Sequence, residues 1–353
     1  MGEAVQKGAD EVRNALAAWS ALEGAELERL RGGLINQTWR VVTPGGEHVA
    51  QRVHADFSPG IHTNIQAVSG HLAERGVAVS RLVETDAGDL FSDLGAGGRW
   101  RLMERIPGVS FAKCSSPDQA RSAGALVARF HSGLLDWQGD LEPIGFPFHD
   151  MAQHLLDLRH ALEKHAGHPR ISEVRVLANK ILEIQKAWAV APLLPQRVVH
   201  GDLKLSNLLF AGSETPARDE ARALIDLDTI SRLPLYYDMG DAWRSWCNVG
   251  GEGPLDVRLD LAIFRASAEG YLGSLAIQLS QDEKESFVQA LERVSLELCA
   301  RFAADVLEEA HFAWDPENFA TAAEHNLFRA RGQMSLHDQA RDSRSERARF
   351  LLG

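Results

Sequence analysis

Val198-Val199-His200-Gly201-Asp202-Leu203-Lys204-Leu205-Ser206-Asn207-Leu208-Leu209, followed by Leu224-Ile225-Asp226-Leu227-Asp228, sets an aspartate, an asparagine five positions on, and a further aspartate ending a short apolar strand. Metal-assisted phosphoryl transfer needs this set. One carboxylate receives or orients the proton of an attacking hydroxyl, and two hard oxygen donors hold Mg2+ against nucleotide phosphates. Asp202 is the expected catalytic base, and Asn207 and Asp226 are the expected magnesium ligands. Lys204 stands where an ammonium offsets charge on the transferring group, while His200 is expected to brace the loop. A plain turn at Gly201-Asp202 and a strand-end cap at Asp226 are the ordinary readings of each piece alone. Their joint order, spacing and strand context argue for the site.

Working outward, residues 9–22 read as an amphipathic helix with Val12, Leu16, Trp19 and Leu22 on one side. Gln37 to Thr43 and Glu47 to Val53 read as a hairpin around Pro44-Gly45-Gly46. A helix follows with Ile65, Val68 and Leu72 on one face, then short strands at Val79 to Glu84, Asp89 to Ser92 and Arg99 to Met103. This small lobe, 1–107, ends at Pro107-Gly108, a pair suited to a hinge. From 108 to 353 the pattern is helical, broken by the polar interval Gly201 to Ser213 and the strand Ala223 to Leu227. The expected class is α+β, with a leading helix and a small antiparallel-sheet N-lobe before a larger, mainly helical C-lobe.

A length of 353 residues fits two lobes of unequal size, and a 45% apolar share supports a substantial core. The net charge of -12, with no long single-sign block, disfavours nucleic acid as a partner. Cys114, Cys247 and Cys299 have no CxxC spacing, so neither a zinc site nor a disulfide framework is expected and a reducing compartment fits. Without a signal-like start or a membrane-length apolar run, the expected location is the cytoplasm, with no membrane partner. Histidines such as His54, His62, His154 and His160 lack metal-site spacing and are expected at the surface or in helix packing.

His-Gly-Asp-x-x-x-x-Asn followed by Ile-Asp-x-Asp resembles the aminoglycoside phosphotransferase and choline kinase superfamily, which implies a protein-kinase-like two-lobed fold. Leu126-Val127-Ala128-Arg129-Phe130-His131 is similar to that superfamily's helix ending in a Leu-His or Phe-His pair. Arg31-Gly32-Gly33-Leu34-Ile35-Asn36-Gln37-Thr38, Gln51-Arg52-Val53, Ile225-Asp226-Leu227-Asp228-Thr229 and Tyr237-Asp238-Met239-Gly240-Asp241 resemble the N-acetylhexosamine 1-kinases. Arg301-Phe302-Ala303-Ala304-Asp305 and the run His325 to Arg331 extend the likeness. Two departures, Leu34 where that subfamily commonly has a histidine and Ser245 where an aromatic often stands, alter the pocket near the acceptor and leave the sugar open.

The nucleotide is expected to meet Gly32, Gly33 and Asn36, where backbone amides approach phosphates unobstructed, although a simple hairpin also explains two glycines. Arg52 fills the strand position where the superfamily usually carries a phosphate-pairing lysine, with a planar fork in place of a point charge. The resemblance calls for a glutamate facing it from the next helix, but Asn64, Gln66 and His71 face that way, and Glu74 does so only in a shifted register. Adenine is expected against the backbone around Glu104 to Ile106.

For the acceptor, Asp228, Asp241 and Arg244 stand among Tyr236, Trp243 and Trp246, an aromatic and carboxylate mixture suited to a sugar. The competing reading makes the tryptophans core and Asp241–Arg244 a helical ion pair. The resemblance adds Arg301 as a sugar contact, against an ion pair to Asp305. The expected activity is therefore an ATP- and Mg2+-dependent phosphotransferase acting on a sugar hydroxyl, first the anomeric one of an N-acetylhexosamine or related hexose. A phosphotransferase for an aminoglycoside, choline-like amine or amino alcohol is the second reading, and a catalytically silent nucleotide-binding module the third.

Overall fold

The computed structural model describes residues 2–30, 36–188 and 193–352. The chain forms two compact units: one comprises 1–107, 136–146 and 223–230, and the other comprises 108–135, 147–222 and 231–353. The first cut falls after Pro107, but two later segments join the first unit. Backbone bonding draws them in. Asn64 exchanges hydrogen bonds with the Glu142 backbone, both at 2.8 Å, and Ser58 N donates to Ile144 O at 2.8 Å. Ala223 and Leu224 pair in parallel with Ala78 and Val79.

The first unit opens with α1 (Gly2–Leu16), followed by a 3-10 turn at Ser20–Leu22 in place of one continuous helix. Val12, Ala15, Leu16 and Trp19 bury against Trp39, Val41, Ala50, Trp100 and Leu102 of the sheet. The sheet contains β1 (Glu26–Arg29), β2 (Gln37–Thr43) and β3 (Gly46–Val53). After α2 (Ile61–Ala73) come β4 (Ala78–Val79), β5 (Leu82–Val83), β6 (Ser92–Asp93) and β7 (Arg99–Glu104). Its order is β1-β2-β3-β7-β5, antiparallel at each step, with β6 also on β7. The expected strand Val79 to Glu84 is two strands. The chain turns between them, because Ser80 N donates to Leu224 O while Arg81 O accepts from Glu104 N.

The second unit begins with α3 (Pro117–Gly133), capped by Ser116 Oγ accepting from Gln119 N with Pro117 at the first turn. Then follow α4 (Met151–Lys164), α5 (Ile171–Ala187), β8 (Arg197–Val199), β9 (Leu208–Phe210), β10 (Ala221–Leu224, whose last two residues belong to the first unit) and β11 (Ser231–Leu233). The remainder is α6 (Tyr236–Trp246), α7 (Leu261–Ser274), α8 (Gln281–Glu308), α9 (Ala322–Asp342) and α10 (Arg344–Leu352). A capping box of Ser280 and Glu283 starts α8, whose apolar face joins α4, α5 and α9 in one core. The Trp243 and Trp246 side chains are wholly buried in this unit.

Helices α3 and α7 cross at backbone contact. A Cβ on Gly124 would lie 2.1 Å from Ser267 O, and one on Gly270 would lie 2.0 Å from Arg121 O. Gly124→Ala is therefore expected to destabilise the protein by about 1–3 kcal/mol through overpacking. Gly273→Ala in α7, where the added methyl meets nothing within 4 Å, is expected to be neutral or mildly stabilising. Urea unfolding of both variants checks this; equal midpoints would contradict the close crossing.

Candidate active site

Helix α6 builds the loop that carries Asp202. Asp238 in its first turn is fully buried and accepts from His200 N and Gly201 N, both at 2.7 Å. The same carboxylate lies 2.8 Å from His131 Nε2, and His131 Nδ1 lies 2.9 Å from the Tyr271 hydroxyl. Burial pushes the Asp238 carboxyl up, but His131 and then His200 outweigh it and hold it below the usual carboxylate range. Two turns further along α6, Ser245 Oγ accepts from Leu205 N at 3.1 Å and Trp246 Nε1 donates to Leu203 O at 2.8 Å. Gly201, at φ 89°, makes the left-handed turn between these anchors. Its carbonyl lies 3.0 Å from His149 Nε2.

Held this way, Asp202 is 29% exposed. Its Oδ2 accepts from Lys204 Nζ at 2.5 Å and from Asn207 Nδ2 at 3.1 Å, and Asn207 Nδ2 also reaches Asp202 O at 2.9 Å. Burial raises the Asp202 carboxyl, but Lys204, with His200 and Arg244 beyond it, brings it below its ordinary value, so the group is a carboxylate at neutral pH. Because the Asn207 nitrogen donates to two Asp202 oxygens, Oδ1 is the amide atom left to accept or to ligate. A hard oxygen so fixed fits an Mg2+ ligand.

Arg244 and Arg301 lie within electrostatic reach of Asp202, and Asp241 lies beside both. Asp241 Oδ1 accepts from Arg244 Nε at 3.0 Å and Nη2 at 2.5 Å, while its buried Oδ2 has no hydrogen-bond partner among the described residues. Arg301 lies 5.4 Å from the Phe312 ring centre and 6.0 Å from that of Phe148. The alternative ion pair to Asp305 does not form. Asp305 instead accepts from the amides of Ala310, His311 and Phe312 and from Asn326 Nδ2. Trp243 and Trp246 donate to Ser267 Oγ and Leu203 O from within the core, so the expected aromatic platform is packing, a correction to the acceptor reading.

The first unit carries the other expected residues. Asp226 adopts the left-handed conformation, φ 66° and ψ 58°, before the turn Leu227–Thr229. Aspartate tolerates this region better than most residues. Asp228 is buried, with Oδ1 2.6 Å from Arg101 Nη1 in a close ionic contact off the hydrogen-bond angle, and Oδ2 accepting from Asn36 Nδ2 at 3.0 Å. Arg101 also donates to Gln51 Oε1 at 2.6 and 3.1 Å. Gln51 and Arg52 alternate across β3. Arg52 therefore shares a face with Ala50 and sits 3.9 Å from Glu11 of α1, not opposite α2. Asn64, Gln66 and His71 are engaged by Glu142, Glu84 and Asp136. Arg52 also lines an open cavity of about 550 Å3 with His54, Asp93, Gly98 and Arg99. Glu104 N donates to Arg81 O, and Ile106 N has no acceptor among the described residues. Gly32, Gly33 and Leu34 lie outside the described residues.

A model of the phosphotransferase enzyme family (APH) matches residues 26–271, and these include the loop, Asp226 and α6. The chain belongs to this family. A homoserine kinase of Zymomonas mobilis subsp. mobilis is 22% identical over 271 residues, 75% of this chain and 76% of that one. The structure of a microcompartment-associated aminopropanol kinase shares the fold with a TM-score of 0.62 at 17% identity, covering 94% of this chain and 97% of that one. An amicoumacin kinase in complex with AMP-PNP and Ca2+ shares it with a TM-score of 0.58 at 14% identity, covering 89% of this chain and 88% of that one. The kinase-like fold of the family, an antiparallel sheet in the N-terminal region and helices in the C-terminal region, is therefore that of this protein. Among the described residues no helix is long and apolar enough to cross a membrane, and no cluster of three His, Cys, Asp or Glu side chains forms a metal cage.

Sequence reasoning assigned no role to Asp238, His131, His149 or Glu297. The first two stood in quoted motifs; the others carried no local signal. Burial pushes Glu297 up, but His149 and His154 reverse this to about 2, and Glu297 in turn raises His149 despite burial. Glu297 is depressed, so its contribution to stability is present above the ordinary 4.5 and lost as pH falls toward about 2. His149 is raised, so its contribution is complete below the ordinary 6.5 and lost as pH rises through the folded value. The melting-temperature difference between wild type and the His149→Gln, Glu297→Gln double variant is expected to peak between these two ordinary values. A difference flat with pH would refute the charged pair.

Proposed function

We propose that this member of the family transfers the γ-phosphoryl group of ATP to a hydroxyl of a small polar acceptor. The observation that carries the reading is the Asp202 carboxylate, held ionised by Lys204 on a loop clamped through Asp238, with the Asn207 amide nitrogen bonded to it. Asp202 accepts the proton of the attacking hydroxyl as its oxygen bonds to the γ-phosphorus and the bond to the β-bridging oxygen breaks, releasing ADP. Asn207 and Asp226 would hold Mg2+, which when bound neutralises charge on the phosphate oxygens. Lys204 is poised to pass from Asp202 to the transferring group. Arg52 is the proposed phosphate-side cation of the first unit, with Asn36, which immediately precedes its strand partner Gln37, and the Glu104–Ile106 backbone as the adenine contact.

A sugar hydroxyl, first the anomeric one of an N-acetylhexosamine, is supported by the sequence likeness alone, since the tryptophans that favoured it belong to the core. Asp228 is spent on Arg101 and Asn36 and is proposed to brace the Asp226 turn, so acceptor binding falls to Asp241, Arg244 and Arg301.

Asp202→Asn is expected to lower kcat by roughly 100- to 10,000-fold with ATP affinity largely kept, read by ADP release and nucleotide titration. Near wild-type turnover would sink the assignment. Because Lys204 holds the Asp202 carboxyl down, Lys204→Met is expected to move the acidic limb of kcat to higher pH as well as to slow the reaction. A limb that stays in place would assign the base elsewhere.

A further inference from the structure

The acceptor-side polar groups of the second unit are unequally matched. Glu297 is engaged by His149 at 3.1 Å and by His154 at 3.5 Å. Arg244 and Asp241 Oδ1 satisfy each other. Arg301, half-buried, then has aromatic faces for company and neither a hydrogen bond nor an ion pair among the described residues. Burial leaves this guanidinium less basic than usual even though Glu297, Asp202 and Asp241 lie within electrostatic reach. A cation in that position is under-compensated, and an anion brought beside it gains a charge-assisted, bidentate pair. Nearby, Asp241 Oδ2 is a buried acceptor to which nothing among the described residues donates, which costs free energy until a donor arrives.

We propose that the acceptor carries a carboxylate, bound by Arg301, together with a hydrogen-bond donor, an ammonium or a hydroxyl, bound by Asp241 Oδ2. This rests on the phosphotransfer reading above and names its substrate class. A hydroxy amino acid and a uronic acid both present that chemistry. A polycationic acceptor does not, because it would meet Arg244 and Arg301 with too few free carboxylates to balance it. A neutral sugar would leave Arg301 as it stands.

Paired acceptors test this through ATP-dependent ADP release: L-homoserine against 3-amino-1-propanol, which lacks only the carboxylate, and D-glucuronate against D-glucose. In at least one pair the carboxylate member is expected to have the higher kcat/KM by on the order of 100-fold; which pair responds identifies the source. In Arg301→Gln that ratio is expected to collapse toward one, and Arg301→Lys to restore some of it, both variants melting near wild type. Asp241→Asn is expected to weaken the amino acid more than the uronic acid if the donor is an ammonium. Neutral members used as well as their carboxylate partners, or a ratio unmoved in Arg301→Gln, would overturn the proposal. Calorimetric titration of the four acceptors separates the two layers. Carboxylate binding that depends on Arg301 without phosphorylation of any acceptor would keep the inference and sink the phosphotransfer reading, whereas carboxylate binding indifferent to Arg301 would sink the inference alone.

Discussion

A carboxylate sealed from water must have its lone pairs filled, and Asp238 fills them with the two amides that open the loop of Asp202 and with the imidazole of His131. That one requirement ties α3, α6 and α7 to the loop, since His131 comes from the first, Asp238 from the second and Tyr271 from the third. The close crossing of α3 and α7 positions His131 and Tyr271 against each other. The helical core is thus the device that shapes the loop.

Gly201 is held at both of its polar backbone atoms, the amide by Asp238 and the carbonyl by His149, which is itself fixed by Glu297 on α8. With its neighbour clamped from two sides, Asp202 has little freedom to reorient, and the charge it presents is set by Lys204 and Asn207. Groups fixed before the substrate arrives need no reorganisation during reaction, which is how a static framework lowers a barrier. In the first unit, Asp228 and Arg101 form a comparable brace close behind the strained Asp226.

The overall acidity of the chain is a poor guide to the charge balance around Asp202. A net charge of -12 suggests affinity for cations, yet near Asp202 the Asp241 carboxylate is paired with Arg244 and Glu297 with His149, while Arg301 has no ion pair among the described residues. Local pairing, screened from distant surface charge by solvent and ions, decides what such a pocket attracts.

Much was legible in the amino-acid order because it is local. The spacing of Asp202, Asn207 and Asp226, the hairpin of β2 and β3, the helical faces of α2 and α5, and the Asp241–Arg244 pair all follow from short-range periodicity. Contacts distant in sequence were not legible. Glu297 meets His149 across 148 positions, Asp228 meets Asn36 across 192, and Glu11 rather than a residue of α2 comes near Arg52. The tryptophans of α6 illustrate the difference: their residue type suited either a binding face or a core, and only the packing of α7 and α8 around α6 made them core. The sequence by itself determined which chemistry-bearing residues exist and how far apart they lie along the chain. Tertiary structure alone decided which of those charges are already paired and which still lack a partner, because pairing depends on burial and approach in space.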